Sequence, residues 1–200
     1  MKHIYHHTSS EAPTFVVLHG TGGNETSLLP ALEHLKTSSN ILSIRGNVNE
    51  NGALRFFARQ AEGVYDLDSL DREMLHLREF ILKSSQEYGF RMDKVILFGF
   101  SNGANIGIHL LLHQPNEFNF GIFMAPLYPL EVEKEQDFSH KKVYLSMGRM
   151  DPICSMENNQ ELLHLFDRLG IDLELDWVTT HELTSSIVVG YTNWFTKHFH

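Results

Sequence analysis

Three residues spread along this chain could together perform acyl transfer. They are a serine in Gly99-Phe100-Ser101-Asn102-Gly103, an aspartate in Gly148-Arg149-Met150-Asp151-Pro152 and a histidine in Thr179-Thr180-His181. A neutral serine hydroxyl is a poor nucleophile, so a base must take its proton in attack and return it to the leaving group. A carboxylate behind that base holds the imidazole in the useful tautomer and stabilises the imidazolium. The serine pentapeptide alone is a weak signal. Its setting is stronger, because all three residues fall just past the carboxyl end of a predicted strand.

Positioning begins with Val95–Phe100, an almost unbroken apolar run of the kind a doubly covered strand shows. An apolar stretch of helical length follows Ser101, running on through Asn105–His113 to Pro115. Strand, serine turn and helix make a nucleophile elbow, with glycines where the backbones cross. The turn aims the Asn102 amide and the helix N-terminus at a developing oxyanion. A second donor is expected from Thr21, in the glycine-rich turn Gly20-Thr21-Gly22-Gly23 after the strand Thr14–His19. That turn lacks the Gly-Lys-[Ser/Thr] of a phosphate loop. His19 is read as a residue that fixes the turn by hydrogen bonding.

The other elements alternate. A weak edge strand at 2–7, strands at Asn40–Arg45, Phe120–Ala125, Val143–Met147 and Asp172–Val178, and helices at Thr26–Lys36, Asp68–Tyr88 and Ser155–Leu169 are expected. The last helix buries Ile187, Val188, Tyr191, Trp194 and Phe195. Alternation of this kind means a mainly parallel sheet of about seven strands between two helical layers. Pro126–Lys142 is too short for a cap domain, so an open site is expected.

From Gly46 to Asp68 the periodicity fails, apart from a possible short helix at Ala53–Gln60. Connections of this length are often binding loops. Arg45, Arg55 and Arg59 lie in or beside it, with Phe56 and Phe57 between them. Arg45, Arg55, Phe56 and Phe57 are therefore expected to contact substrate, as apolar rings and a positive patch for a carboxylate. Alternatively the phenylalanines pin the loop to the core while the arginines pair with Glu62, Asp66 or Asp68.

Composition narrows the classes. A chain of 200 residues is expected to form one domain, 1–200. A net charge of −9 argues against nucleic acid or an anionic membrane as partner. No apolar run reaches membrane-spanning length and the start, MKHIYHHTSS, has no signal core, so a cytoplasmic protein is expected. Cys154 is the only cysteine and reads as a buried filler rather than a nucleophile. The 13 histidines show no ligand spacing, the terminal ones (His198, His200) and the His109/His113 pair included, so neither a metal nor a cofactor is expected.

The stretches LHGTGGNE, ILSIRGNVNENGALRFFARQAEGVYD, GFSNGAN and DPIC resemble the phospholipase/carboxylesterase group of small α/β-hydrolases. They look closest to its bacterial hydroquinone-resistance esterase branch, with acyl-protein thioesterases as distant cousins. The resemblance implies a lidless α/β-hydrolase with Ser101, Asp151 and His181 as triad, acting on small carboxylic esters or thioesters, often as a homodimer. Two departures stand out. Thr180 replaces the glycine usual before the histidine, and a β-branched residue there disfavours φ > 0. MAPLYP (124–129) replaces a His-Pro type of segment. The expected function is a serine carboxylesterase. The alternatives are a thioesterase or lactone hydrolase of the same mechanism, or a non-catalytic small-molecule-binding module.

Overall fold

The computed structural model describes residues 1–133 and 136–199. His200 and residues 134–135 of the Pro126–Lys142 segment lie outside them. At the centre is a seven-stranded sheet. Its members in chain order are β1 (His3–His6), β2 (Thr14–Leu18), β3 (Asn40–Ile44), β8 (Val95–Phe100), β9 (Phe120–Met124), β10 (Lys142–Gly148) and β11 (Asp172–Val178). Two small hairpins lie apart from it: β4 (Val48–Glu50) with β5 (Ala53–Arg55), and β6 (Arg59–Ala61) with β7 (Val64–Tyr65). The sheet order is β1-β3-β2-β8-β9-β10-β11, all parallel except β1 against β3.

The inner strands are buried on both faces, whereas the edge strand β11 alternates Asp172, Glu174 and Asp176 with Leu173, Leu175 and Trp177. Along β2, Val16 and Leu18 pack into one apolar cluster while Phe15 and Val17 pack into another. The first cluster includes residues of α2 (Leu67–Tyr88), α3 (Asn102–His113) and α4 (Met156–Leu169). The second draws on α1 (Leu29–Leu32) and α5 (Ser185–Phe199).

After β2 the chain turns to one side of the sheet to build β3. After α2 it returns to build β8 on the other side of β2. The order therefore reverses between β2 and β8, and in open parallel sheets the crevice above such a reversal is where ligands bind. The loop after β2 carries Thr21 and the turn after β8 carries Ser101. The winding itself puts them side by side.

Some boundaries depart from the sequence expectation. The helix expected over Thr26–Lys36 is only α1 followed by a 3₁₀ turn at Glu33–Leu35, with Pro30 in the first turn of α1. α2 begins at Leu67, capped by Asp66, whose side chain accepts the Ser69 N–H. It ends at Gly89 in the left-handed conformation that residue permits (φ 73°). No helix forms at Ala53–Gln60, where β5 and the start of β6 lie instead.

Candidate active site

Ser101 sits between β8 and α3 with φ 51°, one of three non-glycine residues with positive φ among the described residues. Strain of this kind is held only where the surroundings over-determine it. Here a Cβ at Gly103 would stand 2.1 Å from the Leu18 carbonyl oxygen, and one at Gly99 would stand 2.6 Å from the Ala104 Cα. No residue larger than glycine fits the crossing. The Ser101 N–H is further tied to the Met124 carbonyl at 2.9 Å.

Asp151 lies in the turn after β10 and His181 in the loop after β11. The His181 Nδ1–H donates to Asp151 Oδ2 at 2.7 Å, and the aspartate side chain is fully buried. Its other oxygen, Oδ1, accepts the Ile153 and Cys154 N–H groups at 2.8 and 3.1 Å. Both oxygens are thus committed and the carboxylate is fixed. Arg149 and Met150 donate their N–H groups to the carbonyls of Val178 and Thr179, tying the aspartate turn to the histidine loop. Phe100 meets the His181 ring edge to face at 5.2 Å. Thr180 is not among the residues with positive φ, so threonine fits where the resemblance led one to expect glycine.

Ser101 and His181 face one cavity of about 280 Å³, whose walls include Gly20, Thr21, Arg55, Arg59, Tyr65, Asn102, Leu127 and Cys154. That is slightly below the roughly 300–1,000 Å³ of sites for drug-sized ligands, so it suits a small one. Asn102 is the first residue of α3, so its N–H has no helical partner. Gly22 and Gly23 give their N–H groups to Leu54 and Gly20 carbonyls, whereas the Thr21 N–H has no backbone acceptor among the described residues. Both expected oxyanion donors therefore border the same space.

Of the four residues expected to contact substrate, the structure brings Arg55 alone to the cavity. Arg55 lines the cavity, buried, with Nη1 donating to Thr21 Oγ1 at 2.8 Å and Nε to the Phe57 carbonyl at 3.2 Å. Arg45 does not belong there. Its guanidinium grips the buried Glu25 by two hydrogen bonds and holds that carboxyl down to about 2. Phe56 and Phe57 are core residues, wholly enclosed, with Phe57 packed edge-on against Tyr65. The phenylalanines pin the loop, as the structural alternative had it, but Arg55 and Arg59 pair with Glu50 rather than with Glu62, Asp66 or Asp68. Arg59, grouped with Arg55 in the arginine-rich loop, also lines the cavity, whereas Tyr65 and Leu127 were missed as cavity walls.

Cys154 borders the cavity, but burial and the neighbouring Asp151 charge push its thiol up to about 12, so it stays protonated. Asp151, Cys154 and His181 offer donor atoms within 4.8 Å of one another, a set that could grip a metal ion. It would do so only by breaking the Asp151–His181 bond and deprotonating that thiol.

His19 clamps the loop after β2. Its Nδ1 bonds the Gly20 carbonyl at 2.7 Å and its Nε2 accepts the Gly46 N–H at 3.0 Å. Only the neutral ring protonated at Nδ1 makes both bonds. Burial lowers its proton affinity, the Gly20 bond opposing in part. The unfolded chain therefore binds this proton more readily. The clamp's contribution is complete above the ordinary histidine value of about 6.5 and is lost as pH falls through the depressed folded value. Between those two values the melting temperature of His19→Gln is accordingly expected to fall less steeply than wild type as pH drops, as differential scanning fluorimetry across a pH series would show.

Over residues 56–196 the chain matches the family model described as Phospholipase/Carboxylesterase. It is 34% identical over 196 residues to MhqD of Bacillus subtilis (strain 168), named as a hydrolase, covering 98% of each chain. Among solved structures it is similar to the Bacillus cereus carboxylesterase, at 36% identity and TM-score 0.93, over 98% of this chain and 94% of that one. It is also similar to YahD, solved with malic acid, at 28% identity and TM-score 0.92, over 98% of each chain.

Proposed function

The chain belongs to the phospholipase/carboxylesterase family of ester hydrolases, and we propose that it cleaves small carboxylic esters through an acyl-serine intermediate on Ser101. The observation that carries this reading is the 2.7 Å bond from His181 Nδ1–H to a fully buried Asp151, on the same cavity as the strained Ser101. With its Nδ1 proton given to the carboxylate, the neutral imidazole presents Nε2 as the base.

Ser101 Oγ adds to the ester carbonyl and its proton passes to His181 Nε2. The negative charge that develops on the carbonyl oxygen is met by the Thr21 and Asn102 N–H groups. Collapse expels the alcohol, which takes the proton from His181 and leaves the acyl group on Ser101. Water, deprotonated by the same imidazole, repeats the sequence and releases the acid. Each backbone donor to the oxyanion is worth roughly 10²–10³ in rate. The same steps serve thioesters and lactones; the small cavity favours compact substrates in every case.

The test is a fluorophosphonate probe followed by peptide mapping. Labelling is expected at Ser101 and is expected to disappear in His181→Ala. Folded protein that takes up no label would mean that the serine is not activated, and the reading as a small-molecule-binding module would replace this one.

A further inference from the structure

The catalytic scheme uses Ser101, Asp151, His181 and two amides, and leaves two arginines on the cavity wall without a role. Arg55 and Arg59 share one carboxylate, Glu50, whose distances to their Nε atoms are 3.3 and 2.9 Å. Two guanidinium ions on one carboxylate leave a surplus positive charge. They also leave donors. Arg59 commits only its Nε to Glu50, so its two Nη groups make no hydrogen bond to the described residues. Arg55 spends Nε and Nη1 and keeps Nη2.

Burial supplies the reason such donors matter. Arg55 is almost fully enclosed, and desolvation weakens its hold on its own proton. A second anion entering the cavity would relieve that cost, and charge-assisted bonds from a guanidinium to a carboxylate are among the strongest available. The arginine loop is also registered against the nucleophile. Asn102 Oδ1, beside Ser101, accepts the Phe56 N–H at 2.7 Å, and Arg55 holds Thr21 on the other oxyanion loop. Glu62, the acidic residue among those that line the cavity, is exposed to solvent, which screens its charge.

We propose that Arg59, with Arg55 behind it, forms a carboxylate-binding subsite, and that the preferred substrates are small esters that carry a free carboxylate, such as half-esters of short dicarboxylic acids. The proposal rests on the esterase reading above. Glu50 is the positioning residue that holds the two guanidinium groups together.

Methyl hydrogen glutarate and its neutral counterpart dimethyl glutarate test it, with methanol release as readout. The wild-type protein is expected to favour the anionic ester in kcat/KM. In Arg59→Gln the ratio of anionic to neutral kcat/KM is expected to fall about 10- to 100-fold, mainly through KM, as loss of a charge-assisted hydrogen bond implies. Arg59→Lys is expected to recover only part, because ammonium lacks the planar fork. Arg59 is the better probe because it is partly exposed, whereas removing Arg55 empties a buried site. Glutarate binding to Ser101→Ala, followed by calorimetry and repeated in the Ser101→Ala/Arg59→Gln double variant, reads the subsite without hydrolysis. Binding that the double variant loses supports the subsite. A wild-type ratio near one on protein that labels at Ser101 would overturn the subsite alone. Glutarate binding intact on protein that never labels would overturn the esterase reading alone.

Discussion

Ser101→Ala is expected to lower turnover of a small ester by roughly 10⁴–10⁶ while leaving the melting temperature close to wild type. The residual rate comes from what the substitution leaves in place. The Thr21 and Asn102 amides and the cavity walls still bind and polarise the ester, but water must attack without a covalent step. The fold is expected to survive because alanine keeps the Cβ that the turn already accommodates at φ 51°. Steady-state kinetics on ester, with circular dichroism as the folding control, make the comparison. Turnover within tenfold of wild type would remove Ser101 as the nucleophile.

Asp151→Asn is the second large effect, and it separates orientation from charge. The asparagine Oδ1 can still accept the Ile153 and Cys154 N–H groups, so the turn after β10 keeps its shape. Its amide nitrogen, however, would face His181 Nδ1 where a carboxylate oxygen now accepts at 2.7 Å. Imidazole answers by moving its proton to Nε2, the nitrogen that must act as base. The wrong tautomer and the lost counter-charge together are expected to cost about 10⁴ in kcat near neutral pH. A stopped or steady-state assay beside wild type suffices. A loss below about tenfold would mean that His181 draws no help from this carboxylate.

The sheet and the three candidate catalytic residues were legible because their signals are local. Val95–Phe100 is apolar throughout and runs straight into Ser101, while Asp151 and His181 fall in the turns that leave β10 and the alternating edge strand β11. The arginine-bearing loop was not legible. Its strands are only two or three residues long, too short for alternation to register, so Ala53–Gln60 looked like a helix. Arg45 looked like a pocket residue because its partner, Glu25, is 20 positions away and meets it only when the β2 and β3 connections fold together. Phe56 and Phe57 looked equally available to substrate and core. Phe57 packs against Tyr65 and Phe56 against His19, and both join the cluster that holds the α2 side chains, contacts the loop sequence alone does not show. Where a helix is expected at Thr26–Lys36, Leu32 and Leu35 are buried, yet only α1 and one 3₁₀ turn form around Pro30 and Glu33.

The two hairpins between β3 and α2 have an evolutionary consequence. They belong to neither half of the sheet, and their tips, Asn51-Gly52 and Glu62-Gly63, are turns exposed to solvent. Three bonds anchor the end of the first hairpin, the Leu54 carbonyl to Gly22, Arg55 to Thr21 and the Phe56 N–H to Asn102, and the Tyr65 hydroxyl anchors the second to the Leu127 carbonyl. A lineage that preserves those anchors can lengthen, shorten or recharge the tips without disturbing the nucleophile turn. Selectivity and foldability are then carried by different stretches of one chain, and a directed-evolution library confined to the outer halves of these hairpins can explore new substrates at little risk to the scaffold.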